Sequence, residues 1–124
     1  MVEDDLSIQR LVSEHLKANN FLPKIFNSAE QAYAALNTPP LPNLIILDML
    51  LPGMSGVDLI RLVKQNKTWE KIPIVVVSVL SREQGDPTLE DETALWVHKP
   101  FDAGNLIQTI QNVLMSAGQE KGQS

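Results

Sequence analysis

Leu44-Ile45-Ile46-Leu47-Asp48-Met49-Leu50-Leu51-Pro52-Gly53-Met54-Ser55-Gly56 puts a carboxylate where an apolar run enters a turn rich in proline and glycine. Four consecutive apolar residues predict a strand buried on both faces, the pattern of a parallel sheet. Asp48 closes that run, and in an open α/β sheet the carboxyl ends of the strands form the crevice where ligands bind. An aspartate that merely opens a turn or caps a helix fits this segment equally well. The rest of the chain has to decide between the two.

A chain of 124 residues with 44% apolar and 20% charged residues fits one soluble domain around one core. No apolar run approaches the ~20 residues that cross a bilayer, and the first residues lack the basic-then-apolar order of a secretion signal, so a cytoplasmic protein with no membrane association is expected. The absence of cysteine excludes disulfides, thiolate metal sites and a cysteine nucleophile. Ten basic against fifteen acidic residues give a formal charge of −5, which argues against direct contact with nucleic acid and favours protein partners.

Met1-Val2-Glu3-Asp4-Asp5 clusters three carboxylates, which on their own read as a solvated terminus. Leu6, Ile8, Leu11, Val12 and Leu16 recur at helical spacing and predict a first helix with one buried stripe, stopped at Asn19-Asn20. A short strand over 23–27 follows. Ser28 then caps a helix over 29–37 with Glu30 and Gln31 in its first turn, and the prolines at 39, 40 and 42 end it. Beyond Asp48, Val57, Ile60 and Val63 mark a third helix over 56–67. Residues 72–79 form a β-branched run too apolar for an exposed strand, with Ser78 near its carboxyl end. Residues 95–99 give a further strand stopped by Pro100. Leu106, Ile107, Ile110, Val113 and Leu114 predict a last helix over 101–117. The domain is expected to span 1–118, with 119–124 a disordered polar tail. Between the last two strands, residues 81–94 hold Gly85, Pro87 and Glu90-Asp91-Glu92, so the fourth of five helices is expected to be short or irregular.

Alternating strands and helices joined by short loops predict a parallel sheet covered on both faces. Side by side, the strand ends bring together Glu3 and Asp4, Asp48, Ser78 and Lys99. Val2-Glu3-Asp4-Asp5, Leu47-Asp48 through Gly56, Val75-Val76-Val77-Ser78 and Val97-His98-Lys99-Pro100-Phe101 together resemble the receiver domain of two-component response regulators, in order and over essentially the whole chain. That resemblance implies a flavodoxin-like three-layer α/β sandwich with strand order 2-1-3-4-5. It implies that Asp48 is the phosphoacceptor. It also implies that Asp4, Asp48, Glu3 through a water, and the Leu50 backbone carbonyl hold Mg²⁺, an ion suited to an all-oxygen site. Ser78 and Lys99 would contact the phosphoryl oxygens, the donor would be a phosphohistidine on a sensor histidine kinase or a phosphotransfer protein, and Ser78 with Trp96 would form the switch. The signal would leave through the face made by the fourth helix, fifth strand and fifth helix toward an effector protein or domain.

Three features depart from the family pattern. Only Met1 precedes Val2, so the first strand is expected to be a stub, as in a truncated chain or one with a mis-assigned start; a weakened monomer, a neighbouring chain in the gap or a homodimer exchanging elements are the expected outcomes. Val79 adds bulk beside the phosphoryl site, and Leu50 and Leu80 are apolar where hydrolytic water is elsewhere admitted, so a long-lived acyl phosphate is expected. Residues 81–94 carry one arginine against five acids on the expected partner face, which favours a basic partner. The alternative to a phosphorylatable receiver is a receiver fold kept as a docking or dimerisation module that never carries phosphate. A haloacid-dehalogenase-like phosphatase would need a second acid two residues after Asp48, where Leu50 stands.

Overall fold

The computed structural model describes residues 1–48, 56–78, 94–99 and 101–123. Its frame is a parallel sheet of β1 (Ile45–Asp48), β2 (Ile74–Ser78) and β3 (Ala94–His98), in that order. Ile45 lies opposite Ile74 and Asp48 opposite Val77, while Ser78 lies opposite His98. Val2 extends the sheet by single parallel bridges to Leu47 on one side and Phe26 on the other. From edge to edge the order is therefore Phe26, Val2, β1, β2, β3. This is the 2-1-3-4-5 order that the resemblance implies, with the first two strands reduced to one bridged residue each.

Burial alternates along the strands as a two-faced sheet requires. Ile45, Leu47, Ile74 and Val76 pack with Val2, Leu36, Leu59, Ile60 and Val63, beneath α2 (Ala29–Leu36) and α3 (Gly56–Gln65). Ile46, Val75 and Val77 pack with Val12, Leu16, Leu106, Ile107 and Ile110, beneath α1 (Leu6–Ala18) and α4 (Ala103–Gln123). Val75, Val76 and Val77 are completely buried, which explains why this run carries no polar residue before Ser78. Trp69, buried beside the turn before β2, meets Tyr33 of α2 edge to face at 5.7 Å, tying α2 to that corner.

The helix ends follow local chemistry. Ser28 Oγ accepts from the Gln31 amide at 3.2 Å, and Gln31 Oε1 accepts from the Asn27 amide at 3.0 Å, close to a capping box. α1 closes in a Schellman arrangement: Phe21 N–H donates to Leu16 and Asn20 N–H to Lys17, with Asn20 in the left-handed region at φ 69°. Asp102 caps α4 by accepting from the Gly104 amide at 2.7 Å.

Two expectations change. The buried stripe of α1 is Gln9, Val12, Ser13 and Leu16, whereas Leu6 and Leu11 are exposed. Positions 9, 12, 13 and 16 share one helical face, so a stripe judged by apolarity alone selects the wrong edge. At the other end, α4 continues to Gln123, so the segment expected to be a disordered tail is helical up to there; glutamine, glutamate and lysine are good helix formers. Of the segment 81–94 expected to hold an irregular fourth helix, Ala94 opens β3 and residues 81–93 lie outside the described residues.

Gln9 is one of the buried polar residues, with Glu3, Ser13 and Asp48, and its side chain joins two chain segments. Its Nε2 donates to the backbone carbonyl of Glu3 and, at 2.8 Å, to Asn27 Oδ1. Gln9→Leu keeps the volume but leaves both oxygens without that donor. The expected result is a loss of about 1–3 kcal/mol in urea unfolding; an unchanged midpoint would show that the bridge carries no stability.

Candidate functional site

The acidic cluster at the start of the chain resolves into three separate jobs. Asp5 caps α1, its Oδ1 accepting from the Ser7 amide at 2.8 Å and the Ile8 amide at 3.2 Å. Glu3 is completely buried, and Asp4 points to the surface. The bridges on either side of Val2 set their positions: Val2 N–H donates to Ile46 at 2.7 Å, Asp48 N–H to Val2 at 2.9 Å, and Glu3 N–H to Phe26 at 3.0 Å. Glu3 and Asp4 are therefore delivered to the same rim as Asp48, at the carboxyl end of β1.

Carboxylate oxygens of Glu3, Asp4 and Asp48 lie within 4.8 Å of one another. Lys99, one residue past β3, brings its Nζ to 2.9 Å from Glu3 Oε2 and 3.3 Å from Asp48 Oδ2. All of these groups lie at the carboxyl rim of a parallel sheet, where ligand sites form. Three carboxylates against one ammonium leave two negative charges uncompensated within the group. Hard, oxygen-only donors at this separation fit a small divalent cation, which would offset that charge.

Residues 1–111 match the family model for the response regulator receiver domain. The chain belongs to that family. It is 33% identical over 115 residues to the phosphate regulon transcriptional regulatory protein PhoB of Klebsiella pneumoniae, covering 92% of this chain and 50% of that protein. The chain thus spans about half the length of the curated relatives it matches. Among solved structures, a sensor protein from Polaromonas sp. JS666 is 29% identical with a TM-score of 0.83, covering 94% of each chain. The Mn²⁺-bound form of response regulator Rcp1 is 28% identical with a TM-score of 0.75, covering 90% of this chain and 87% of that one.

Of the site residues read from the sequence of this receiver domain, Glu3, Asp4, Asp48 and Lys99 come together. Ser78 ends β2 next to the β1 rim, and Trp96 lies opposite Val76 in β3. The side chains of Ser78 and Trp96, together with Leu50, Val79 and Leu80, lie outside the described residues. Asp5 and Gln9 were not singled out by the sequence. An aspartate immediately before a helical pattern is a cap signal, and it was available for Asp5. Gln9 gave no such signal, because its buried position depends on Asn27 and Glu3 arriving from elsewhere.

Glu3 and Lys99 are shifted in the same direction for different reasons. Burial pushes the Glu3 carboxyl above its ordinary 4.5, and the nearby Asp48 charge adds to this while Lys99 opposes it. For Lys99, burial acts downward, yet the two carboxylates it contacts outweigh that and hold the ammonium above its ordinary 10.5. The cation sees two anions; Glu3 sees one cation, one anion and little water.

Since the folded-state value of Glu3 is raised, its contribution to stability is fully present below 4.5 and is lost as pH rises through the folded value. Lys99 stays charged throughout that range. Glu3→Gln mimics the protonated form, so in metal-free buffer the variant should gain stability relative to the wild type between pH 4.5 and neutrality. Urea unfolding with a chelator at both ends of the range measures this; a difference independent of pH would contradict it.

Proposed function

We propose that this receiver domain, over residues 1–118, is the phosphoacceptor of a two-component response regulator, with Asp48 taking a phosphoryl group from the phosphohistidine of a sensor kinase or phosphotransfer protein. The observation that carries this reading is Lys99 Nζ held 3.3 Å from a buried Asp48, with Glu3 and Asp4 oxygens beside it. Family membership supports it from a different direction.

In the reaction, an Asp48 carboxylate oxygen attacks phosphorus in line. The P–O bond forms as the P–N bond breaks, and the electron pair returns to the donor imidazole. Asp48 is fixed by its backbone bond to Val2 and by burial, so it presents one geometry to the donor. Lys99 shifts part of its charge from Asp48 to a phosphoryl oxygen, as a point charge on a flexible stem can. Ser78 donates a hydrogen bond to another. Asp4 and Asp48, Glu3 through a water, and the Leu50 carbonyl would hold Mg²⁺. When bound, that ion offsets the carboxylate and phosphoryl charge.

The output runs through Ser78 and Trp96 to the face that includes β3 and α4, which an effector protein or domain reads in the cytoplasm. Leu50, Val79 and Leu80 are apolar at sequence positions where hydrolytic water is admitted elsewhere in the family, so a long-lived acyl phosphate is expected. Rapid loss of label from purified phosphoprotein would refute that lifetime.

Beryllofluoride with Mg²⁺ tests the switch. The chain has two tryptophans, so Trp69→Phe leaves Trp96 as the only reporter. A fluorescence change is expected that Asp48→Asn abolishes, and Asp4→Asn should raise the Mg²⁺ concentration it requires at least about tenfold, or about 1.4 kcal/mol. No response at millimolar Mg²⁺ would overturn the reading in favour of a docking module without phosphate.

A further inference from the structure

The Glu3–Asp4 peptide joins two of the three carboxylates gathered at the carboxyl rim. On its upstream side the sheet fixes the backbone: Val2 is bridged on both edges, and Glu3 N–H donates to Phe26 at 3.0 Å. In a parallel ladder the next bond would run from the Ser28 N–H to the Glu3 carbonyl. Ser28 leaves the ladder to cap α2, and the Glu3 carbonyl accepts instead from a side chain, Gln9 Nε2 of α1.

Gln9 Nε2 carries two hydrogens, and the second goes to Asn27 Oδ1 at 2.8 Å. Both partners face Gln9 with an oxygen, so a nitrogen with two protons is what satisfies them. Asn27 is held in turn at the start of α2, where its amide donates to Gln31 Oε1 at 3.0 Å. Within α1, the Gln9 amide donates to the Asp5 carbonyl at 3.0 Å, and the Asp5 amide donates to Glu3 Oε1 at 3.2 Å. Residues 3 to 9 therefore close a ring in which Asp5 holds the Glu3 carboxylate and Gln9 holds the Glu3 carbonyl. Asp4 is exposed, so the constraint on it arrives through the peptide plane that Gln9 holds.

We propose that Gln9 is a positioning residue for the divalent cation: by fixing the Glu3–Asp4 peptide plane it sets where the Glu3 and Asp4 carboxylates stand relative to Asp48, and thereby the affinity for Mg²⁺. The inference rests on the reading of this acidic cluster as a Mg²⁺ site. Without the Gln9 donor the plane can turn about the bonds on either side of it, and repulsion among the three carboxylates drives that turn. Glu3 is buried and tied to Lys99, so most of the displacement falls on Asp4. A group that orients a metal ligand from behind is commonly worth about ten- to a hundredfold in metal affinity.

Gln9→Met keeps the length of the side chain and removes both donors. Mg²⁺ is titrated into the full chain at neutral pH and constant ionic strength, with the amide resonances of Asp4 and Asp48 as the readout. Gln9→Met should raise the Mg²⁺ Kd about tenfold in the folded protein. Asn27→Ala, which takes away one of the two acceptors and leaves the bond to Glu3, should raise it about threefold. Leu16→Val, a buried change near the far end of α1, controls for lost stability: its urea midpoint should fall while its Kd stays within about twofold of the wild type. Unchanged affinity in whichever of the first two variants folds would overturn the proposal. So would equal weakening by Leu16→Val, which would assign the effect to stability alone. A wild type that shows no Mg²⁺ response would overturn the metal site itself and this inference with it, a failure distinct from normal binding that Gln9 does not influence.

Discussion

Two carboxyl groups taken out of water within reach of one ammonium set the character of the working end of this sheet. Glu3 and Asp48 are both buried, and Lys99 spans them at 2.9 and 3.3 Å. Removing charges from water is costly, and one cation does not compensate two buried anions and the adjacent Asp4. The surrounding structure has to hold the arrangement in place. It does so with backbone bonds on both sides of Val2, the Asp5 cap immediately after it, and the Gln9 side chain bonded to the Glu3 carbonyl. The stored repulsion is what makes the site receptive to positive charge.

The fold converts separate stretches of chain into that cluster through one property, the parallel direction of every strand. Parallel strands end on the same rim, so residues 3, 48 and 99 meet without any loop having to reach far.

The strand cores were legible because each is buried on both faces: Ile45 to Leu47 and Ile74 to Val77 are apolar at every position, and the structure divides them alternately between two clusters. Asp48 was legible because it stands at the end of such a run, and Lys99 because it stands between a strand pattern and Pro100. Less was legible where position depends on tertiary arrival. Leu6 was counted in the buried stripe and is exposed, while Gln9 was not counted and is buried, because the face of α1 turned inward is chosen by the neighbouring chain rather than by hydropathy. Asp5 looked like one of three equivalent acids; only the start of α1 distinguishes its role from that of Glu3. The helical continuation of α4 to Gln123 carries no apolar period, so periodicity could not reveal it.

Magnesium-dependent stability measures the central claim most directly, because a cation that relieves the repulsion among Glu3, Asp4 and Asp48 must bind the folded chain in preference to the unfolded one. Urea unfolding across a magnesium titration at neutral pH and constant ionic strength should show stability rising with the logarithm of free Mg²⁺ once the site begins to fill. Stability that stays flat up to tens of millimolar Mg²⁺ would mean that Lys99 alone satisfies the cluster, and the account of the site would be wrong.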